Sequence, residues 1–484
     1  MKRDRIVKMK YMKRIVSFMI FIAVAVMLLP QCQQVSREKK AKYVFYFIGD
    51  GMGVNQVNGT EMYLAEKQGR IGIEALNFTQ FPVVNFATTY SRYNSVTCSA
   101  AAGTALATGT KTKNGTIGMD SLHEAPLYSV AVKAKEAGKR VGITTSVSVD
   151  HATPAAFYAH QPSRSMYYEI GTDLPKTGFD FYAGSGFLQP KSKKDTAAPE
   201  LFGLIEGAGY KIIRGNEAFE KEYTDAVKAV FIQKEGAEKS CLPYAIDRKE
   251  GDLTLAQITE NAIRFLMKEP NDGFFLMVEG GKIDWACHGN DAATVFEEVV
   301  DMAEAVQKAL DFYNQHPDET LIVITADHET GGIGLGTGRY ALNLQALQHQ
   351  ALSKEELTHK IQELRTAKGN KVTWDDVRDL LSENLGFWKE VKLSEKQEAQ
   401  LKDIYKRSFG KSGVKMEKNL YAENELLAAE AIKILDSIAL VGWTSGGHSA
   451  GVVPVYAIGA GSHLFNGKLD NTDIPKKIAE AGGY

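Results

Sequence analysis

Three runs of the chain are almost wholly apolar, and each stops at an acid. Tyr43–Ile48 reads YVFYFI and stops at Gly49-Asp50. Gly273–Val278 reads GFFLMV and stops at Glu279, and Thr320–Ala326 reads TLIVITA and stops at Asp327-His328. A strand with one wet face alternates polar and apolar residues. An uninterrupted apolar run belongs to a strand covered on both faces, which is the interior of a parallel sheet. Val83–Tyr90 and Arg140–Val147 read as further strands. Leu127–Ala137, Leu253–Lys268 and Asp291–His316 carry helical periodicity between them. The alternation predicts an α/β fold: a three-layer sandwich around a mostly parallel central sheet, with a helical insertion. Ligands bind such sheets at the carboxyl ends of the strands. The acids and the glycines that follow them stand at that edge, and packing alone does not require them there.

The 484 residues are long enough for more than one domain. Residues 1–40 form a candidate export segment: a basic stretch to Arg14, then Ile15–Pro30, apolar but for Ser17. Sixteen apolar residues suit a signal peptide better than a membrane span. Leu28-Leu29-Pro30-Gln31-Cys32 has the outline of a bacterial lipoprotein cleavage site, with Gln31 a poor match, and makes Cys32 the candidate lipid anchor. The expected destination is the periplasm or the outer membrane of a bacterium. Residues 41–339 and 441–484 read as one catalytic domain. Residues 340–440, rich in Lys, Glu, Gln and Leu with helical periodicity, read as an inserted helical subdomain. The segment 1–40 holds ten Lys/Arg against two Asp/Glu, so a chain of net charge −2 keeps about −10 on its body. An acidic body argues against a nucleic acid partner held through its phosphates. Cys98, Cys241 and Cys287 make no disulfide framework, though one bridge among them is open, and without a CxxC pair they make no thiolate metal site.

The chemistry-bearing residues gather at strand ends. Asp284 and His288 follow the Glu279 strand four residues apart, which one helical turn brings to one face. His448 stands in a glycine-rich loop, Val441–Ser449. Imidazoles and carboxylates without thiolates suit catalytic zinc, and seven such groups exceed what one ion needs. A serine precedes an alanine-rich stretch at Ser99–Gly109, with Thr97 a candidate N-cap. Ser99 then sits in a helix's first turn, where free N–H groups favour an anion. In Asp150–Arg164, Thr153 precedes Pro154 and should be extended. GxGxxG, a P-loop lysine and GxSxG are all missing, which argues against a nucleotide loop or an esterase triad.

These motifs, IGDGMG, TCSAAAGTALATG, HATPAAFYAH followed by Ser163-Arg164, VEGGKIDWACH, TADHE and GGHS, resemble in order those of the alkaline phosphatase family, over about residues 42–340 and 441–465. The resemblance implies a phosphomonoesterase with two Zn²⁺ and one Mg²⁺, and small phosphate monoesters as substrates. It implies Ser99 as nucleophile and Arg164 as the phosphate clamp. Asp284, His288 and His448 would hold one zinc, and Asp50, Asp327 and His328 the other. Asp50, Thr153 and Glu279 would hold the magnesium. His151 and Trp285 match two positions beside that third site that vary in the family, and His151 leaves zinc open there. The family often has an aspartate before the nucleophile to orient the arginine. Cys98 stands there instead, so Arg164 is expected to be less fixed. A homodimer is implied as well. Among rivals, a sulfatase is disfavoured because Cys98 is not followed by x-Pro-x-Arg. A phosphodiesterase would lack the third site and the arginine, and an inactive binding protein would not need every ligand.

Overall fold

The structure is a computed structural model that describes residues 2–27, 40–270, 272–338, 340–410 and 416–484. All seven residues of Tyr43–Gly49 are buried. Phe274–Gly280 pairs parallel on one side of this strand and Thr320–Ala326 on the other. Tyr43 stands opposite both Phe274 and Thr320, and Gly49 opposite both Gly280 and Ala326. The three apolar runs therefore end abreast. Ile48, Glu279 and Thr325 share one register position. Two residues on, Asp50 and Asp327 lie on the same side as Glu279 by the period of two.

Outward from this centre the ten-stranded sheet continues through Arg140–Thr145, Phe181–Gly184, Lys228–Ile232 and Tyr210–Arg214 on one side. On the other it continues through Val453–Gly459, Val83–Thr88 and Leu469–Asp470. Val453–Gly459 runs antiparallel to both its neighbours, and the other pairings are parallel. Helices cover both faces. On one, the rings of Tyr43 and Phe45 meet Phe312 of the Ala292–Gln315 helix at 4.9 and 5.6 Å. On the other, Tyr46 packs on Phe157 at 6.0 Å, and its hydroxyl reaches the Leu106 carbonyl of the Ser99–Thr108 helix. The expected three-layer α/β sandwich is what forms.

Residues 340–440 hold helices at Lys354–Lys368, Trp374–Leu385, Glu395–Phe409 and Leu426–Ala439 and a hairpin, Met416–Lys418 with Glu423–Glu425. They belong to one compact unit spanning Lys40–Tyr484. The other unit contains a helix, Lys2–Met27. Among the described residues no helix is long and apolar enough to cross a membrane. Cys32 and the cleavage-site residues 28–31 lie outside the described residues. Cys98, Cys241 and Cys287 are free thiols, which closes the option of a bridge among them.

Two local expectations fail. Thr153 is helical, within Ala152–Ala155, because Pro154 falls in the first turn, where its missing N–H has no partner to lose. The N-cap of the Ser99 helix is Cys98, not Thr97, and its side chain makes no capping bond.

The aromatic layer on the central strand carries the fold. Phe45→Ala should lower unfolding stability by about 3–5 kcal/mol, read by urea denaturation of the full chain; a change below about 1 kcal/mol would contradict this packing.

Candidate active site

Every strand-end group predicted from sequence arrives at one place. Asp50 is followed by Gly51, whose φ of 73° and whose closeness to Asp284 exclude a side chain: a Cβ there would stand 2.8 Å from the Asp284 Cα. The Gly51 N–H donates to Asp327 Oδ1 at 3.1 Å. Asp284 and His288 share a face of the Lys282–Gly289 helix, with His288 Nε2 3.4 Å from Asp284 Oδ2.

Hydrogen bonds fix how the imidazoles point. His288 Nδ1 donates to the Gly446 carbonyl at 2.6 Å, and His448 Nδ1 donates to the Thr97 carbonyl at 2.8 Å. A carbonyl only accepts, so both Nδ1 atoms carry a proton, and when the rings are neutral both Nε2 atoms present lone pairs. Thr330 Oγ1 donates to Asp284 Oδ1 at 2.6 Å, which leaves it to accept from His328 Nδ1 at 3.2 Å. The three Nε2 atoms converge. Those of His288 and His448 are 3.2 Å apart, and the rings of His328 and His448 stack at 3.7 Å. His328 Nε2 is 3.3 Å from Asp327 Oδ2, 3.5 Å from Asp50 Oδ1 and 3.2 Å from Ser99 Oγ. Neutral imidazoles facing lone pair to lone pair repel unless a cation lies between them.

The donors fit divalent metal. Three sets of ligand atoms each lie within 4.8 Å of one another: Asp284, His328 and His448; Asp50, Asp327 and His328; Asp50, His151 and Glu279. The second is the set expected. In the first, His328 joins Asp284 and His448, with His288 Nε2 alongside. In the third, His151 joins Asp50 and Glu279 where Thr153 was expected; Thr153 Oγ1 is buried without a partner. Asp50 Oδ1 and Oδ2, Glu279 Oε1, Asp284 Oδ2 and Asp327 Oδ2 are also buried without a hydrogen-bond partner. A buried carboxylate oxygen left this way is costly, and a hard or borderline cation with nitrogen and oxygen preference satisfies it.

The electrostatics agree. Burial, then the neighbouring carboxylates, push Asp50 well up. Burial pushes Glu279 up to about 8, opposed by the Thr145 hydroxyl bonded to it. Burial and Asp284 push Asp327 up to about 7. Asp284 alone is held low: burial raises it, but the imidazoles of His288, His448 and His328 outweigh that. Burial depresses His151 to about 3 and also lowers His328 and His448.

Ser99 is the first residue of its helix, fully buried, with the N-terminal amides of that helix around it. Gly103 lets this helix lie against Thr153, whose Cα would be 3.2 Å from a Cβ at that position. Arg164 lies beyond the short Ala152–Ala155 helix, outside any helix or strand. Its backbone N–H donates to Gly115 O at 2.7 Å, and Nη2 reaches His151 Nε2 and Tyr421 Oη, both at 3.3 Å. It is thus anchored without Cys98, whose sulfur accepts from the Gly115 N–H at 3.1 Å. Trp285 is buried and stacks on Tyr421 at 4.4 Å. His160 bonds to the Gly118 carbonyl and lies outside the cluster. Sequence reasoning missed Thr145, Thr330 and Tyr421. Thr145 ends the neighbouring strand opposite Glu279, and Thr330 comes two residues after His328; Tyr421 carries no local signal.

The chain matches the family model described as "Alkaline phosphatase" over residues 41–184 and 201–484. It is 31% identical over 456 residues to alkaline phosphatase 3 of Bacillus subtilis, covering 92% of this chain and 90% of that one. It is 30% identical to alkaline phosphatase 4 of the same organism, covering 94% and 93%. The cold-active alkaline phosphatase of a psychrophilic Shewanella superposes with a TM-score of 0.76 at 30% identity over 91% of this chain and 99% of that one. The Thermus thermophilus alkaline phosphatase superposes with a TM-score of 0.73 at 26% identity, covering 94% and 96%.

The raised carboxyls set a pH dependence for the metal-free protein. Glu279 titrates near 8 folded against 4.5 unfolded, and Asp327 near 7 against 3.8, so above pH 6.5 they still bind protons in the folded chain only. His288, also raised, adds the same sign, whereas His151, His328 and His448, lowered in the folded chain, oppose it until their unfolded imidazoles lose their protons about one unit above 6.5. Stability falls with pH where the folded state holds more protons. In chelator, the melting temperature should therefore drop between about pH 7.5 and 8.5, where Glu279 gives up its proton, and added divalent metal should restore it. A rise over that interval would contradict the uncompensated cluster.

Proposed function

The chain belongs to the alkaline phosphatase family, and from that premise we propose that it hydrolyses phosphate monoesters to alcohol and inorganic phosphate through a phosphoserine on Ser99. The observation that carries this reading is Ser99 Oγ, at a helix N-terminus, within 3.2 Å of His328 Nε2 and facing the ring of unpartnered carboxylates.

Asp284, His288 and His448 would hold one Zn²⁺; Asp50, Asp327 and His328 the second; Asp50, Glu279 and Thr153 the Mg²⁺, with His151 beside them. When bound, such ions neutralise the attacking and leaving oxygens and lower the pKa of water toward neutrality. The chain's own groups do the rest. The helix amides favour negative charge on Ser99 Oγ, which attacks phosphorus in line as the ester P–O bond breaks and the alcohol leaves. Arg164 offers a planar fork of donors to the phosphoryl oxygens, holding them through attack and release. Water then attacks the phosphoserine from the opposite side, releasing phosphate and returning the serine hydroxyl. Positioning and charge neutralisation supply the rate, since phosphoryl transfer needs little covalent help.

The export segment, a lipid at Cys32 and a homodimer complete the reading. Val84 and Phe86 stand exposed on one side of Val83–Thr88, an apolar surface that a second copy would cover.

Ser99→Ala should cut turnover of an aryl phosphate by about 10³-fold or more while zinc content, measured by mass spectrometry, stays at the wild-type level. Turnover at the wild-type rate in that variant would refute Ser99 as nucleophile.

A further inference from the structure

We propose that Tyr421 is a positioning residue for Arg164, so that the phosphate clamp is built jointly by the loop that follows His151 and by a hairpin of the 340–440 segment. The inference rests on Arg164 binding phosphate, the reading given above.

Tyr421 lies in the turn of the hairpin formed by Met416–Lys418 and Glu423–Glu425. The Asn419 side chain accepts from the backbone N–H of Tyr421 at 2.9 Å and of Ala422 at 2.6 Å, which sets the turn. The hairpin's far end is tied down: Glu425 takes two bonds from Arg365 Nη2, at 2.9 and 2.8 Å, and the Glu425 N–H donates to Thr358 Oγ1 at 3.1 Å. The ring is held on the other side. It lies parallel to Trp285, 10° between planes, with the edge of His288 at 5.3 Å and His151 at 5.9 Å. A phenol fixed by its ring and by its turn presents its oxygen at one point. That point is 3.3 Å from Arg164 Nη2, which donates to it.

Tyr421 Oη and His151 Nε2 take up the two Nη2 hydrogens, and Nη1 and Nε carry the remaining donors of the fork. Both acceptors are neutral. Among the described residues no carboxylate lies within 4.0 Å of the guanidinium. A carboxylate partner would orient the arginine and also cancel its charge. Two neutral partners orient it and leave the full charge for the phosphate. Cys98, the residue before the nucleophile, cannot supply this, because its sulfur is engaged by Gly115.

The test uses the full, metal-loaded chain in four forms: wild type, Tyr421→Phe, Arg164→Ala and the double variant. Phe keeps the stack on Trp285 and removes only the oxygen. The measurements are the inhibition constant of inorganic phosphate, kcat and KM for an aryl phosphate, metal content and melting temperature. Loss of one hydrogen bond to a charged group should raise both the phosphate constant and KM about tenfold, with kcat within about twofold and with metal content and melting temperature unchanged. In the Arg164→Ala background the same substitution should change the phosphate constant by less than about twofold, since the group it orients is gone. If Arg164→Ala weakens phosphate and Tyr421→Phe does not, the positioning role is refuted and the phosphate clamp stands. An equal effect of Tyr421→Phe in both backgrounds refutes action through Arg164. If Arg164→Ala itself leaves phosphate binding unchanged, the clamp assignment falls and the role of Tyr421 falls with it.

Discussion

Asp50, Glu279, Asp284 and Asp327 meet at the carboxyl edge of the sheet with no exposed surface, and Arg164 is the permanent positive charge in their field. Carboxylates brought together this way repel one another and lose their hydration. Unless a cation enters, they answer by taking up protons, which is the direction in which Asp50, Glu279 and Asp327 are displaced. The arrangement is unfavourable in the bare chain and is held only because the sheet beneath it cannot relax. The site is therefore mechanical in origin: a parallel core forces together groups that chemistry alone would separate, and metal binding recovers what folding gives up.

Register is the device that does the forcing. Because Tyr43–Gly49, Phe274–Gly280 and Thr320–Ala326 end abreast, a one-residue slip in any of them would turn its acid to the other face. The slip is prevented far from the site, by aromatic rings such as Phe45, Phe274 and Phe312 that interlock between strand and helix. Gly51 then permits the close approach of the Asp284 helix that no residue with a Cβ could. Core packing and ligand placement are the same constraint seen at two ends of one strand.

This explains what could be read from the sequence and what could not. Strands buried on both faces announce themselves as apolar runs, so the sheet and the acids at its edge were legible, as were Asp284 and His288 by their helical spacing. Thr153 misled, because the pre-proline preference is a steric bias that packing can override, and Pro154 in a first turn gives up no hydrogen bond of its own. His151 was legible as a neighbour of the third set but not as a member of it, since that depends on how a four-residue helix turns its cap toward Glu279. Arg164 was legible as a residue but not in its setting. Its partner Tyr421 lies 257 positions later, in a segment whose composition speaks only of solvated helices. Long-range side-chain pairing leaves no periodic trace.

The imidazoles show how loops without a fold of their own are made precise. His448 is aimed by the carbonyl of Thr97, and Thr97 stands two residues before Ser99 at the start of the helix that carries it. His288 is aimed by the carbonyl of Gly446, in the loop that carries His448. Each ligand is thus oriented by the backbone of the next element, so moving the serine's helix would also turn a histidine's Nε2 away from the cluster. The group that attacks and the groups that hold the charge are not set independently. A displacement of the helix large enough to move Ser99 also moves the carbonyl that aims His448, which couples the attacking group to the groups that hold the charge.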